Sequence, residues 1–600
     1  MSDSAAGAAG MGRTTCMNRP TNYDKLPAIK VSKDDSACSI GWQAIVQELS
    51  SRPSAGRTVL VAECYPGVDA GEVHAGLDGL SPGKATTILA ERALKSPGEL
   101  AELVAPWLGD DPVFGTMANW ELSAFFDPAK VAQLRTEIAA ASGLVAIHGA
   151  GAAYVAEHWD LLLYCDVTRC EIQQRQRAHR TGNFGADNAS ASPAELYKRA
   201  YFIDWGAADA EKHRLHPRID FYLDTVLPHR PAMISGESYR EALAEAARRP
   251  FRVAPFFDPG PWGGEWMRRH FDLPAGPPNF AWCFDCVPEE NSLRLQFGNK
   301  VVETPALSLV HEHPLELLGT NIVERFGAEF PIRFDFLDTV EGGNLSLQVH
   351  PLRTYIAEHF GISYTQDESY YLLDAESDAV VYLGLKPGVD PARMARDLEA
   401  AQAGGPTFPA EQYVNAWLAR KHDHFSIPAG TIHCSGKNCM VLEISATPYI
   451  FTFKLWDWER LGLDGLPRPI SLKHGLANIQ WNRDRDWVKK NLINPLRPVA
   501  QGEGWREEAT GLHELEFIET RRHWFTGPVP HDTGGTLNVL NLVEGEEIVV
   551  ESPDRAFEPF VVHYAETFIV PACVGPYRIS PTKKSCRPFA TIKAFVRSRE

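Results

Sequence analysis

Three polar residues, Gln348, His350 and Glu368, punctuate the otherwise strand-like stretch NLSLQVHPLRTYIAEHFGISYTQDESYYLL. Residues two apart on a strand share a face, so Ser346, Gln348 and His350 project together while Leu347 and Val349 face the other way. Glu368 opens the next apolar run, ESYYLL, and a neighbouring strand would bring its carboxylate to that same face. Far downstream, FSIPAGTIHCSGKNCMVLEIS supplies His433 just after a turn at Pro428, Ala429 and Gly430. An amide oxygen, two imidazoles and a carboxylate form a mixed N/O donor set that suits zinc first, with manganese, iron or cobalt as alternatives. Cys434 points to the opposite face, and His311 and His313 in VHEHP precede a helical run and read as structural.

A chain of 600 residues is too long for one core, and three or four domains must position these groups. With 59 Lys+Arg against 77 Asp+Glu, the net charge of -18 argues against nucleic acid or an anionic membrane as the main partner. No apolar run approaches the ~18 residues of a membrane span. The 11 cysteines are scattered, Cys283 and Cys286 in WCFDC lacking a second such pair, as expected of reduced thiols in the cytoplasm. The start has no basic region followed by an apolar core, so residues 1–38 are expected to be a disordered tail rather than a secretory signal.

Residues 39–250 alternate strands with helices, which predicts a parallel α/β domain. Its first strand, RTVLVAEC, leads into YPGVDAGEV, where a nucleotide-binding domain would carry its phosphate loop; no GK[ST] follows, and Glu72 puts negative charge where a lysine is needed. A Pro/Gly-dense stretch, FRVAPFFDPGPWGGEW, marks a boundary near Pro250. Residues 251–505 are β-rich with a helical insertion near 390–422, DPARMARDLEAAQ followed by AEQYVNAWLARKH, and residues 506–600 repeat the β signal as a smaller domain.

QVHP, a glutamate opening a strand, PAGTIH and KLWDWERLGLDGLPRP occur in an order that resembles the type I phosphomannose isomerase family, over about residues 255–600. PWGG at 261–264, HPLELLG at 313–319 and the terminal NLVEGEEIVVES with ETFIVPACVGPYRIS add to the likeness. The resemblance implies mainly-β cupin (jelly-roll) barrels, a zinc ion held by Gln348, His350, Glu368 and His433, and interconversion of mannose 6-phosphate and fructose 6-phosphate through an enediol. The N-terminal half resembles the kinase-like domain of long bacterial members, with a degenerate phosphate loop; CEIQQRQRAHRTGNFG resembles an arginine-bearing lid containing Arg175, Arg177 and Arg180.

Three positions depart from the family pattern. TFKLWD places Lys454 where the family has an arginine, Asp335 in PIRFDFLD replaces a lysine, and Gln366 in QDES replaces another. Lys454 keeps the positive charge but not the planar fork of a guanidinium, and is expected to be an active-site cation. The departures touch substrate handling rather than the metal ligands. They leave open an isomerase or epimerase of another sugar, or a non-catalytic metallo-cupin that senses sugar. An iron dioxygenase is disfavoured, because Gln348 as a fourth ligand fills a position that oxygen chemistry needs open.

Overall fold

The computed structural model describes residues 21–50, 56–80, 85–446, 451–511, 516–584 and 586–597. The chain is multidomain, mostly sheet with helices. Its N-terminal part is a seven-stranded sheet in which an inner strand, Thr58–Cys64, runs parallel to Leu144–Gly149 on one side and Leu161–Asp166 on the other. Alternation along these strands feeds two cores. Val59, Val61, Val145 and Ile147 enter one, and Leu60, Ala62, Cys64 and Ala146 enter the other with Ile45, Leu49, Val73 and Leu77 of two helices. The turn after strand Thr58–Cys64 carries no phosphate-loop geometry. The Asp69 side chain itself accepts from Gly71 N and Glu72 N at the start of helix Ala70–Asp78, taking up donors that a phosphate would need.

The arginines of the expected lid are likewise engaged within the protein. Arg175 bonds Glu171, Gly67 O and Thr225 O, Arg177 forms a two-pronged pair with Asp258, and Arg180 stands 3.8 Å from Glu171.

Two antiparallel sheets follow, and their eleven strands are labelled here in chain order: β1 Phe256–Asp258, β2 Trp282–Cys286, β3 Ile332–Asp338, β4 Leu347–Val349, β5 Glu368–Ala375, β6 Val380–Leu385, β7 Val414–Leu418, β8 His424–Ile427, β9 His433–Ser435, β10 Cys439–Ala446 and β11 Phe453–Trp456. One sheet has the order β8-β5-β10-β3-β2-β1, the other β7-β6-β9-β4-β11. Every residue of β3 and β10 is buried, so these central strands are covered on both faces.

The helical insertion is shorter than its sequence pattern suggests. Helices Pro391–Gln402 and Ala410–Tyr413 form, but Val414–Leu418 is strand β7, paired with β6 from Val380↔Leu418 to Leu385↔Val414. Edge pairing by Val414 and Trp417 overrides the local helical period. The C-terminal unit also begins earlier than residue 506. Arg497–Gly502 pairs with Trp505–Ala509, which pairs in turn with Ile518–Phe525 of the last domain's six-stranded sheet.

Of the expected disordered tail, residues 1–20 lie outside the described residues, but 21–38 are packed. Ile29–Lys30 pairs in parallel with Leu295 and Gln296, and buried Tyr23 stacks on Phe271 and donates to Asp285 at 2.6 Å. Arg252 makes this a three-way clasp: it pairs with Asp285 of β2 at 3.4 Å and with Glu566 of the C-terminal domain at 2.8 Å, and donates to Asp24 O. Glu566 also accepts from Asp24 N.

Candidate metal centre

Strand register assembles the site. Gln348 on β4 lies directly opposite His433 on β9 and, on its other side, opposite Lys454 on β11, so the three side chains share one face. His350, two residues after Gln348, joins them. Glu368 arrives differently from expectation. It is not on a neighbour of β4 but at the start of β5 in the facing sheet, paired with Ile427 and Ser445. The two sheets thus close on one polar cluster. His350 Nε2 stands 3.0 Å from Glu368 Oε2, His433 Nε2 2.8 Å from Glu368 Oε1, and Gln348 Nε2 3.3 Å from His433 Nε2. His350, Glu368 and His433 are fully buried and each offers a ligand atom within 4.8 Å of the others.

Outer contacts fix the polarity of the cluster. His350 Nδ1 lies 3.0 Å from Phe451 O and His433 Nδ1 lies 2.8 Å from Thr431 O; since a carbonyl can only accept, both Nδ1 atoms carry the proton. In the neutral rings both Nε2 atoms then present lone pairs to a carboxylate, an arrangement that calls for a cation between them. Burial pushes the Glu368 carboxyl up, and only positive charge on the imidazole side outweighs burial and holds the group well below the usual carboxylate range; with both rings neutral, a bound cation would supply that charge. Gln366 donates to Glu368 Oε2 at 3.1 Å and so orients the carboxylate. The amide of Gln348 can turn its oxygen inward to complete a four-donor N/O set. These donors fit a divalent ion of the zinc type.

A cavity of about 250 Å³ opens beside the cluster, walled by Trp262 and Trp282 and lined by Gln348 and Lys454. Its cations differ in freedom. Arg333 is held by Glu443, by Asp335 at 3.2 Å and by Ser445 Oγ at 2.8 Å. Arg468 donates to Asp457 at 2.9 Å and to Ser346 Oγ at 3.1 Å. The Lys454 side chain has no hydrogen-bond or ion-pair partner among the described residues, and burial, reinforced by Arg468, pushes its ammonium down to about 8. Burial raises Asp335 to about 6, against the lowering effect of Arg333.

Sequence reasoning did not find Arg468 and Glu443. Arg468 sits in the irregular GLPRP segment and Glu443 on a strand otherwise read as core, so neither carried a periodic signal.

Comparison with known proteins divides the chain. Residues 41–248 match a family model described as a domain of unknown function (DUF8485), which lends no support to a kinase-like identity for that part. The chain is 25% identical over 217 residues to mannose-6-phosphate isomerase of Streptococcus mutans, covering 36% of this chain and 63% of that protein. It is 25% identical over 232 residues to mannose-6-phosphate isomerase ManA of Bacillus subtilis, covering 38% of this chain and 68% of the relative. The chain thus spans less than two thirds of the length of the first of these relatives. The solved structure of mannose 6-phosphate isomerase from Bacillus subtilis aligns over 58% of this chain and 99% of its own, at 16% identity and a TM-score of 0.47. No helix among the described residues is long and apolar enough to cross a membrane.

Proposed function

We propose that the chain is a metal-dependent aldose-ketose isomerase that interconverts mannose 6-phosphate and fructose 6-phosphate, with one zinc ion held by Gln348, His350, Glu368 and His433. The observation that carries the proposal is the convergence of two proton-fixed imidazoles on one buried carboxylate beside a small polar cavity. The similarity to mannose-6-phosphate isomerases over about a third of the chain supports the same class.

Moving a proton between C1 and C2 of an open-chain sugar develops charge on its oxygens. Bound zinc supplies Lewis acidity there. Lys454, free of internal partners, supplies a positive charge for an anionic oxygen of the substrate, as a point charge rather than a planar fork. Arg333, clamped by two carboxylates, shapes the wall instead. Trp262 and Trp282, packed edge to face at 4.7 Å, keep that side of the cavity dry.

The clamping of Arg333 favours a second reading, an isomerase or epimerase of a sugar bearing less negative charge, because two carboxylates offset much of the cavity's positive charge. A coupled assay with mannose 6-phosphate, with and without chelator, tests the first. Zinc-replete protein without turnover would sink it, and turnover of another sugar in a panel with and without phosphate would establish the second. Tight sugar binding with no turnover of any sugar would leave a sensor.

A further inference from the structure

Among the described residues, the N-terminal domain places no side chain in the polar cluster, yet its aromatic residues pack directly behind it. Phe114 stacks on Phe451, with ring centroids 5.5 Å apart and planes 17° apart, and stands edge-on to Phe453 at 5.1 Å. Phe202 meets Phe451 edge-on at 6.1 Å. All four rings are buried. The residue they grip, Phe451, carries the carbonyl that accepts the Nδ1 proton of His350, and Phe453 immediately precedes Lys454.

Both N-terminal rings are themselves held in place. Asp111 Oδ1 accepts from Val113 N and Phe114 N at 2.7 and 2.8 Å, while its other oxygen lies 3.4 Å from Nε2 of His474, in the helix after β11. Phe202 lies in a π-helical turn, Ala200–Asp204, a form that recurs at functional positions in helices. Its carbonyl accepts from Ala118 N at 2.9 Å, and Asp204 at the end of the turn pairs with Arg199 and accepts from Phe184 N. The wide turn thus aims Phe202 across the domain boundary from a braced frame.

We infer that Phe114 and Phe202 are positioning residues for the metal centre: they hold the Phe451 carbonyl where it fixes the tautomer and orientation of His350. The inference rests on the metal reading given above, and it assigns the domain of unknown function a role in the site's geometry. Ligand orientation set from outside the coordinating atoms tunes metal affinity, and loss of such a partner costs about 10–100-fold. The two rings act one contact further out, so the lower end, about tenfold, is expected for each.

The test uses full-length protein with Phe114→Leu, Phe202→Leu and a control, Phe125→Leu. Phe125 is equally buried in the same domain, but its ring contacts are with Trp120 and Phe184. Zinc affinity is measured by competition with a chromophoric chelator, cobalt(II) absorption reports ligand geometry, and urea unfolding monitors stability. Phe114→Leu and Phe202→Leu are expected to weaken zinc binding about tenfold and alter the cobalt spectrum, while Phe125→Leu loses stability with neither change. Wild-type zinc affinity and cobalt spectrum in both variants would overturn the inference. Equal weakening by Phe125→Leu would also overturn it, since affinity would then follow general stability. If either variant fails to fold, the other carries the test alone. A wild-type protein that binds no zinc would instead remove the metal reading beneath it.

Discussion

Changing Glu368 to glutamine keeps the shape of the cluster and removes its carboxylate charge. Its two oxygens now stand 3.0 Å from His350 Nε2 and 2.8 Å from His433 Nε2, at zero exposure. Losing the anionic ligand is expected to weaken zinc binding by at least about a hundredfold, the upper end of what outer partners alone cost. At free zinc equal to ~100 times the wild-type Kd, binding stabilises the native state by about 2.7 kcal/mol. The same zinc would only equal the variant's Kd and give about 0.4 kcal/mol. For a unit of roughly 200 residues these correspond to zinc-induced rises in Tm of about 5–11 °C in the wild type and about 1–2 °C in the variant.

The metal-free proteins carry the sign of the argument. A glutamine NH2 can donate to an Nε2 lone pair that the carboxylate cannot satisfy, so the metal-free variant should be at least as stable as the metal-free wild type. Calorimetry on chelated and zinc-reconstituted samples follows both quantities. The reasoning fails if the zinc-induced rise is the same in both proteins. It also fails if the metal-free variant loses the roughly 3–5 kcal/mol that breaking a buried ion pair costs, because the three side chains would then be a salt-bridged triad complete without metal.

Lys454→Met should lower kcat/KM for mannose 6-phosphate by about 10–150-fold, the worth of a charged hydrogen bond, with zinc affinity changed less than about threefold; steady-state kinetics beside chelator competition would expose unchanged turnover. Glu63, buried and accepting from Gly151 N and Ala153 N, is raised to about 8 by burial. Because its folded pKa lies above the unfolded value, its contribution is fully present below about 4.5 and is lost as pH rises through about 8. Glu63→Gln should therefore flatten the fall in stability between those limits, and parallel urea curves at pH 5 and pH 8.5 for both proteins would count against it. Arg252→Met leaves Asp285 and Glu566 buried without their partner and should cost about 3–5 kcal/mol, read as a lower urea midpoint; a change under about 1 kcal/mol would show the clasp to be dispensable.

Part of the site was legible because strand geometry has a two-residue period. Gln348 and His350 could be placed on one face, and His433 after a Pro-Gly turn at the mouth of a strand. Which sheet Glu368 belongs to was not legible, because residues 351–367 between His350 and Glu368 carry the chain from one sheet to the other, and sequence spacing says nothing about that crossing. The apolar spacing of Val414–Leu418 fits a helix, while its fate is set by pairing with Val380–Leu385. Order at Tyr23 and Ile29 is not legible locally because it depends on partners at Phe271, Asp285 and Leu295, far along the chain. Local composition records intrinsic preference, and long-range partners decide these three cases.

The Arg252 clasp has a consequence for biosynthesis. Asp24 leaves the ribosome well before its partner Glu566, which emerges 542 residues later. At about 5–20 residues per second that interval is roughly half a minute to two minutes. Throughout it the N-terminal and central domains can fold as units while Arg252 and Asp285 wait for their third partner. Closure of the clasp thus reports that translation has passed Glu566, and a nascent chain halted before Glu566 should expose the segment around Tyr23 to proteases that spare it once the clasp has closed.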